Sequence, residues 1–166
     1  MLAANPTIAS LSDFAKTLDA ELRAFRDFMQ ILQNEQETLI QGNIDHLIEL
    51  ARLKSEKIIL LSQLAEQRNH FLRSQGCASD HAGMMHWLER QHGGAMPQIA
   101  EIWQQLLDEA KTAHRLNQIN GSMIETRLIN NQQALAVLKA AANQSGLYGP
   151  DGQTQALGLG RPIGKV

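Results

Sequence analysis

The residues of this 166-residue chain that can do chemistry are six histidines, one cysteine and a few neighbouring carboxylates. His81, His86 and His92 lie close together with Cys77 and Asp80 nearby, a set of side chains that suits zinc. Their steps of five and six put the imidazoles on different faces of a helix, whereas helical zinc pairs need steps of three or four. Cys77 and His81 have a step of four but stand beside Gly76, where no regular helix is assured. Glu89-x-x-His92 matches half of a di-iron motif, and no second Glu-x-x-His occurs. Solvated surface histidines are the better reading, with no metal and no cofactor expected.

Nucleophilic and nucleotide chemistry fare no better. No family-type signature surrounds Cys77, which reads as an exposed or half-buried bystander thiol. Asp108 and Glu109 read as a solvated helix face. The run Gly158-x-Gly160-x-x-x-Gly164 lacks the spacing, the preceding strand and the following helix of a dinucleotide fingerprint. The chain is not expected to be an enzyme.

Composition narrows the classes further. Hydrophobic residues make up 43% and charged residues 19%, so a core can form. Lys+Arg 15 against Asp+Glu 17 gives a net charge of −2, without the basic footprint of a dedicated nucleic-acid binder. A single cysteine excludes an internal disulfide framework and suits a reducing compartment. The longest strictly aliphatic run, Ile58-Ile59-Leu60-Leu61, is far short of the ~20 residues a membrane span needs. No basic-then-apolar leader opens the sequence. A cytoplasmic protein without stable membrane insertion is expected.

The elements that would carry any function are helices. Ser10-Leu11-Ser12-Asp13 reads as a helix start. Leu11, Phe14, Leu18, Leu22, Phe25, Phe28 and Leu32 then recur in steps of three and four, with Leu39 rejoining after Glu35. Gly42 breaks the pattern and Asn43 can cap a second helix, expected from about Ile44 to Arg73. Its inward positions read Ile44, Leu47, Ala51, Ile58, Leu61, Leu64 or Ala65, and Phe71, with Lys54 and Arg68 snorkelling to the edge. So short a turn implies an antiparallel hairpin, residues 10–73. Segment 74–96 reads as a loop with one or two helical turns, packed by Trp87 onto the hairpin.

Pro97 suits the first turn of a long helix over residues 97–145. Ile99, Trp103, Leu106, Ala110, Ala113 and Leu116 form its first apolar stripe. A polar patch follows at Asn117, Asn120, Asn130 and Asn131, with Gly121 inside the helix. A second stripe runs through Ile124, Leu128, Asn131, Leu135, Leu138 and Ala142. A continuous helix of this length spans on the order of 70 Å, longer than the hairpin. Its second stripe therefore needs a partner, either the chain's own hairpin or another protein's helix. The fold expected is all-α: an elongated, coiled-coil-like antiparallel bundle of three long helices and a short one over 1–145. A flexible Gly-rich tail, 146–166, completes it. Residues 126–166 carry Arg127, Lys139, Arg161 and Lys165 against Asp151, a net +3 that leaves −5 on the first 125 residues.

In the C-terminal third, the stretch LNQINGSMIETRLINNQQALAVLKAAANQSGLYGPDGQT (residues 116–154) resembles the FlgN family of flagellar export chaperones. Asn117-x-x-Asn120-Gly121 with Met123-Ile124 carries the likeness, followed by Asn131-Gln132-Gln133-Ala134-Leu135 and Val137-Leu138-Lys139. Leu147-Tyr148-Gly149 and Asp151-Gly152-Gln153 complete it. Segment 74–96 matches no identifiable motif and the chain after Gln153 follows no firm pattern, so no role is expected there from the resemblance.

The resemblance implies a chaperone that binds the C-terminal helical region of the hook–filament junction proteins FlgK and FlgL in the cytoplasm. It would prevent their premature association and deliver them to the type III export apparatus. Ile124, Leu128, Asn131, Leu135, Leu138 and Ala142 would bind the client, with Asn120 and Asn131 setting register in an apolar seam. By the same resemblance Tyr148 is a candidate contact for the export-gate protein FlhA, reached transiently at the inner membrane; alternatively it folds back on the bundle as an apolar clasp. The other reading of the helices themselves is a structural coiled-coil module that homo-oligomerises through the same stripe without a client.

Overall fold

The computed structural model describes residues 8–91 and 96–145. Of these, 93% are helical, in four helices, and no strand occurs among them. The helices are α1 (Ile8–Gln41), α2 (Ile44–Ser74), α3 (His81–Arg90) and α4 (Met96–Ser145). The first starts two residues ahead of the expected Ser10. The break between α1 and α2 falls where the sequence puts it. Gly42 takes φ +78°, which a side chain would resist. Its N–H donates to Thr38 O at 2.9 Å, and Asn43 Oδ1 accepts from the His46 N–H at 3.3 Å. The second helix ends in a Schellman turn: Gly76 has φ +72°, Gly76 N–H donates to Arg73 O and Cys77 N–H to Leu72 O.

The chain divides into two compact units, Met1–Met123 and Ile124–Val166. The core of the first unit begins with Phe14, Leu18 and Leu22 on α1 and Leu72 on α2. Trp87 and Met84 on α3 and Ile99, Trp103 and Leu106 on α4 close over them. Phe14 stacks on Phe71 with centroids 3.9 Å apart, and Trp87 meets both rings edge-on at 5.0 and 5.4 Å. Trp87 thus packs the irregular segment onto the hairpin, as expected, from a helix of ten residues rather than one or two turns. Asp80 caps that helix, accepting from the Gly83 N–H at 2.8 Å. Cys77 is buried, which corrects its reading as an exposed or half-buried thiol. A second cluster follows along α1: Ala24, Phe28 and Leu32 against Leu61 and Ala113.

Two expectations for α2 fail. Leu61 is buried and Leu47, Leu64, Ala65 and Phe71 are partly so, but Ile44, Ala51 and Ile58 are exposed; Leu50 and Leu72 hold inner positions instead. Nor do Lys54 and Arg68 snorkel to the edge, because each has a buried carboxylate to meet. Lys54 Nζ lies 3.0 and 2.9 Å from the two oxygens of Glu35, and an Arg68 guanidinium N–H donates to Glu21 Oε1 at 3.0 Å. Glu21 and Glu35 are 2% and 5% exposed, a burial that charged groups accept only when paired.

Candidate functional site

Within the first unit, α4 lays the expected stripe on α1. Ile99, Trp103, Leu106 and Ala113 are buried, and Ala110 and Leu116 partly so. The motif residues that follow are not alike. Asn117 and Gly121 are exposed, and a Cβ on Gly121 would meet nothing within 4 Å. Asn120 is fully buried: its Nδ2 donates to Leu32 O and to Glu35 Oε2, both at 2.8 Å. This corrects the expectation that Asn120 sets register with a client. Its amide N–H groups are spent inside the chain, the one on Glu35 Oε2 adding to the bonds that Lys54 Nζ makes to both oxygens of that buried carboxylate.

From Ile124 the pattern changes. No residue from Ile124 to Asn143 is buried. Ile124, Leu128, Leu135 and Leu138 are 45%, 56%, 55% and 65% exposed, and Asn131 and Ala142 are exposed too. Steps of four, three, four, three and four put these residues on one face of the helix. Ile129 and Val137, at 46% and 68%, widen the apolar surface beyond the stripe read from the sequence. Their signal lies in the sequence: each follows or precedes a stripe leucine, so the apolar band is more than one residue wide. Adjoining exposed apolar side chains of this kind, unlike singly scattered ones, call for an explanation. Tyr148 lies outside the described residues.

The described histidines form no centre. His81, His86, His46, His70 and His114 are exposed, and His92 lies outside the described residues. His81 Nδ1 accepts from Trp103 Nε1–H at 3.3 Å. Among the described residues no group of three or more His, Cys, Asp or Glu side chains is placed to hold a metal ion. No helix among them is long and apolar enough to cross a membrane.

A family model described as FlgN protein matches residues 1–156. The flagella synthesis protein FlgN of Proteus mirabilis is 29% identical over 148 residues, covering 87% of this chain and 92% of that protein. That of Salmonella typhimurium is 30% identical over 146 residues, covering 87% and 91%. That of Yersinia enterocolitica is 30% identical over 148 residues, covering 89% and 93%. No solved structure matches the chain.

Proposed function

The chain belongs to the FlgN family, and on that premise we propose that it is a non-enzymatic flagellar export chaperone for FlgK and FlgL. Its partners are flagellar proteins. The C-terminal helical region of the client lies along Ile124, Leu128, Asn131, Leu135, Leu138 and Ala142 and covers the apolar stripe of the chaperone with its own.

One observation carries this reading: the exposure of a helical apolar stripe with no buried residue from Ile124 to Asn143. Covering each leucine contributes roughly 1.5–3 kcal/mol, set against the cost of bringing two chains together. Asn131 interrupts the stripe with an amide, which limits affinity and fixes register. A chaperone that must hand over its cargo is served by such an imperfect seam. Tyr148, in the tail after α4, docks on the export-gate protein FlhA, so client and gate use different residues. The work is cytoplasmic, with transient visits to the export gate.

Isothermal titration calorimetry with C-terminal fragments of FlgK and FlgL tests the reading. Saturable binding with a negative heat-capacity change is expected, since apolar surface is removed from water. Absence of binding to both folded partners would overturn it.

A further inference from the structure

His81, the first residue of α3, meets α4 through a side-chain bond: its Nδ1 accepts from the Trp103 indole N–H at 3.3 Å. The two rings lie within 15° of one plane with centroids 6.1 Å apart, the alignment an in-plane N–H···N bond needs. Trp103 is 6% exposed. The guanidinium carbon of Arg68 stands 5.1 Å from the centroid of its ring, and Arg68 in turn donates to Glu21 Oε1. A line of contacts thus runs from α1 through α2 and α4 to the start of α3.

Only the last link depends on a proton. An imidazole nitrogen accepts a hydrogen bond only while it carries no hydrogen, so the bond requires a neutral His81 with its hydrogen on Nε2. A second proton, on Nδ1, sets two N–H donors against each other. The charge it brings falls at the N-terminal end of α3, where the helix is already positive, and on the Trp103 edge whose face Arg68 covers. The neighbouring acids have work of their own: Glu21 on α1 pairs with Arg68, and Asp80 Oδ1 accepts from the Gly83 N–H at 2.8 Å. The residues that α4 presents here, Trp103, Leu106, Leu107 and Ala110, carry no charge.

The surroundings also fix how much can move. Trp87, 1% exposed, pins α3 to the core. Ser79 is tied to α2 more loosely, by Arg73 at 3.4 Å and by its own hydroxyl to Asn69 O at 3.5 Å, both at the outer limit for such bonds. His81 is exposed, so its ring has water to turn into. Ser79, Asp80 and His81 form one edge of an open groove of about 450 Å³ that Arg68 and Trp103 also line.

We propose that His81 is a pH-operated latch on this groove: neutral, it closes the edge onto Trp103, and protonated, it swings out and frees the indole N–H. Histidine is the side chain suited to such a change, since its charge ordinarily alters between pH 5 and 8. The latch requires neither client nor gate binding.

Nuclear magnetic resonance of the full chain between pH 8 and pH 5 tests it. The chain has two tryptophans, and Trp103→Phe identifies which indole N–H signal is which. On acidification the Trp103 signal should move upfield along a one-proton curve, with the midpoint at which the carbon-bound ring protons of His81 titrate. The buried Trp87 signal should stay in place and reports that the core is intact. His81→Asn offers a carbonyl acceptor at every pH and should hold the Trp103 signal at its pH 8 position. His81→Lys offers only donors. At pH 8 it should give the upfield position and exchange of the Trp103 N–H with water about tenfold faster than in the parent at the same pH, as the loss of one hydrogen bond dictates. A Trp103 signal that ignores the titration of His81, or follows pH equally in His81→Asn, would sink the proposal. If the core loosens before pH 5, the two variants compared at pH 8 decide: equal positions and equal exchange rates refute the latch.

Discussion

Asn120 Nδ2 on α4 donates to Glu35 Oε2 on α1 at 2.8 Å, joining residues 85 positions apart in the chain. The bond is buried, and Lys54 from α2 meets the same carboxylate. Three helices thus converge on one acid. An amide of the Asn-x-x-Asn-Gly motif holds α4 in place on the hairpin, and the exposed stripe begins four residues later at Ile124.

Removing that amide should loosen the first unit. Asn120→Ala deletes a donor to a buried charged group and one to Leu32 O, a loss of about 1.5–3 kcal/mol by the usual worth of bonds to charged partners. Urea unfolding followed by circular dichroism measures it. A stability within about 0.5 kcal/mol of the parent would show that the bond is not an anchor.

The Glu21–Arg68 pair makes a pH-dependent prediction. Burial pushes the Glu21 carboxyl above its ordinary 4.5, and Arg68 pulls it back. A raised carboxyl binds its proton more tightly folded than unfolded, so its contribution is most favourable below about 4.5 and is lost as pH rises through the folded value. Arg68→Met leaves the carboxylate without its cation and should cost about 3–5 kcal/mol at neutral pH. Adding Glu21→Gln should recover much of that loss at pH 8 and progressively less as the pH is lowered and the raised carboxyl takes up its proton. Urea midpoints of the single and double variants across this range decide; a gap that does not change with pH would refute the assignment.

Much of this architecture is written in local signals. The apolar steps of α1, the Gly42-Asn43 break and the onset of α4 near Pro97 each lie within a few residues, and the helices follow them. The inner face of α2 is harder to read because Ile58-Ile59-Leu60-Leu61 offers an apolar side chain to every face, so periodicity there selects none. Lys54 and Arg68 resemble edge residues in the sequence because the acids that draw them inward stand 19 and 47 positions earlier. Asn120 is ambiguous for the same reason: a polar residue inside an apolar pattern carries no label saying which chain satisfies it. The stripe from Ile124 to Leu138 is legible as a stripe, and whether the hairpin covers it is not, since that depends on where the core of the first unit ends.

Two glycines should respond to alanine with opposite signs. A Cβ on Gly83 would fall 1.9 Å from Ala78 O and 2.5 Å from Ala78 C, both backbone atoms that cannot swing aside. Gly83→Ala should therefore cost about 1–3 kcal/mol as the α2–α3 turn is pushed off its helix. Gly121 sits inside α4 in helical conformation with nothing within 4 Å of an added methyl group, so Gly121→Ala should gain about 0.5–1 kcal/mol. Thermal unfolding of both variants gives the signs, and a loss at Gly121 would show that its backbone must bend.

The client and gate roles should separate by mutation. Leu135→Asp puts a charge on a side chain that is 55% exposed, in the unit Ile124–Val166 and outside the core of Met1–Met123. The thermal midpoint should therefore hold while the affinity for FlgK and FlgL fragments falls at least a hundredfold, because a carboxylate buried against an apolar client helix has no partner. Tyr148→Ala should do the reverse, leaving the calorimetric titration with client unchanged and abolishing capture by the cytoplasmic domain of FlhA. A Leu135→Asp chain that unfolds would place the stripe in the core and remove it as a client surface. A Tyr148→Ala chain that still binds FlhA at parental affinity would confine the tyrosine to the apolar clasp.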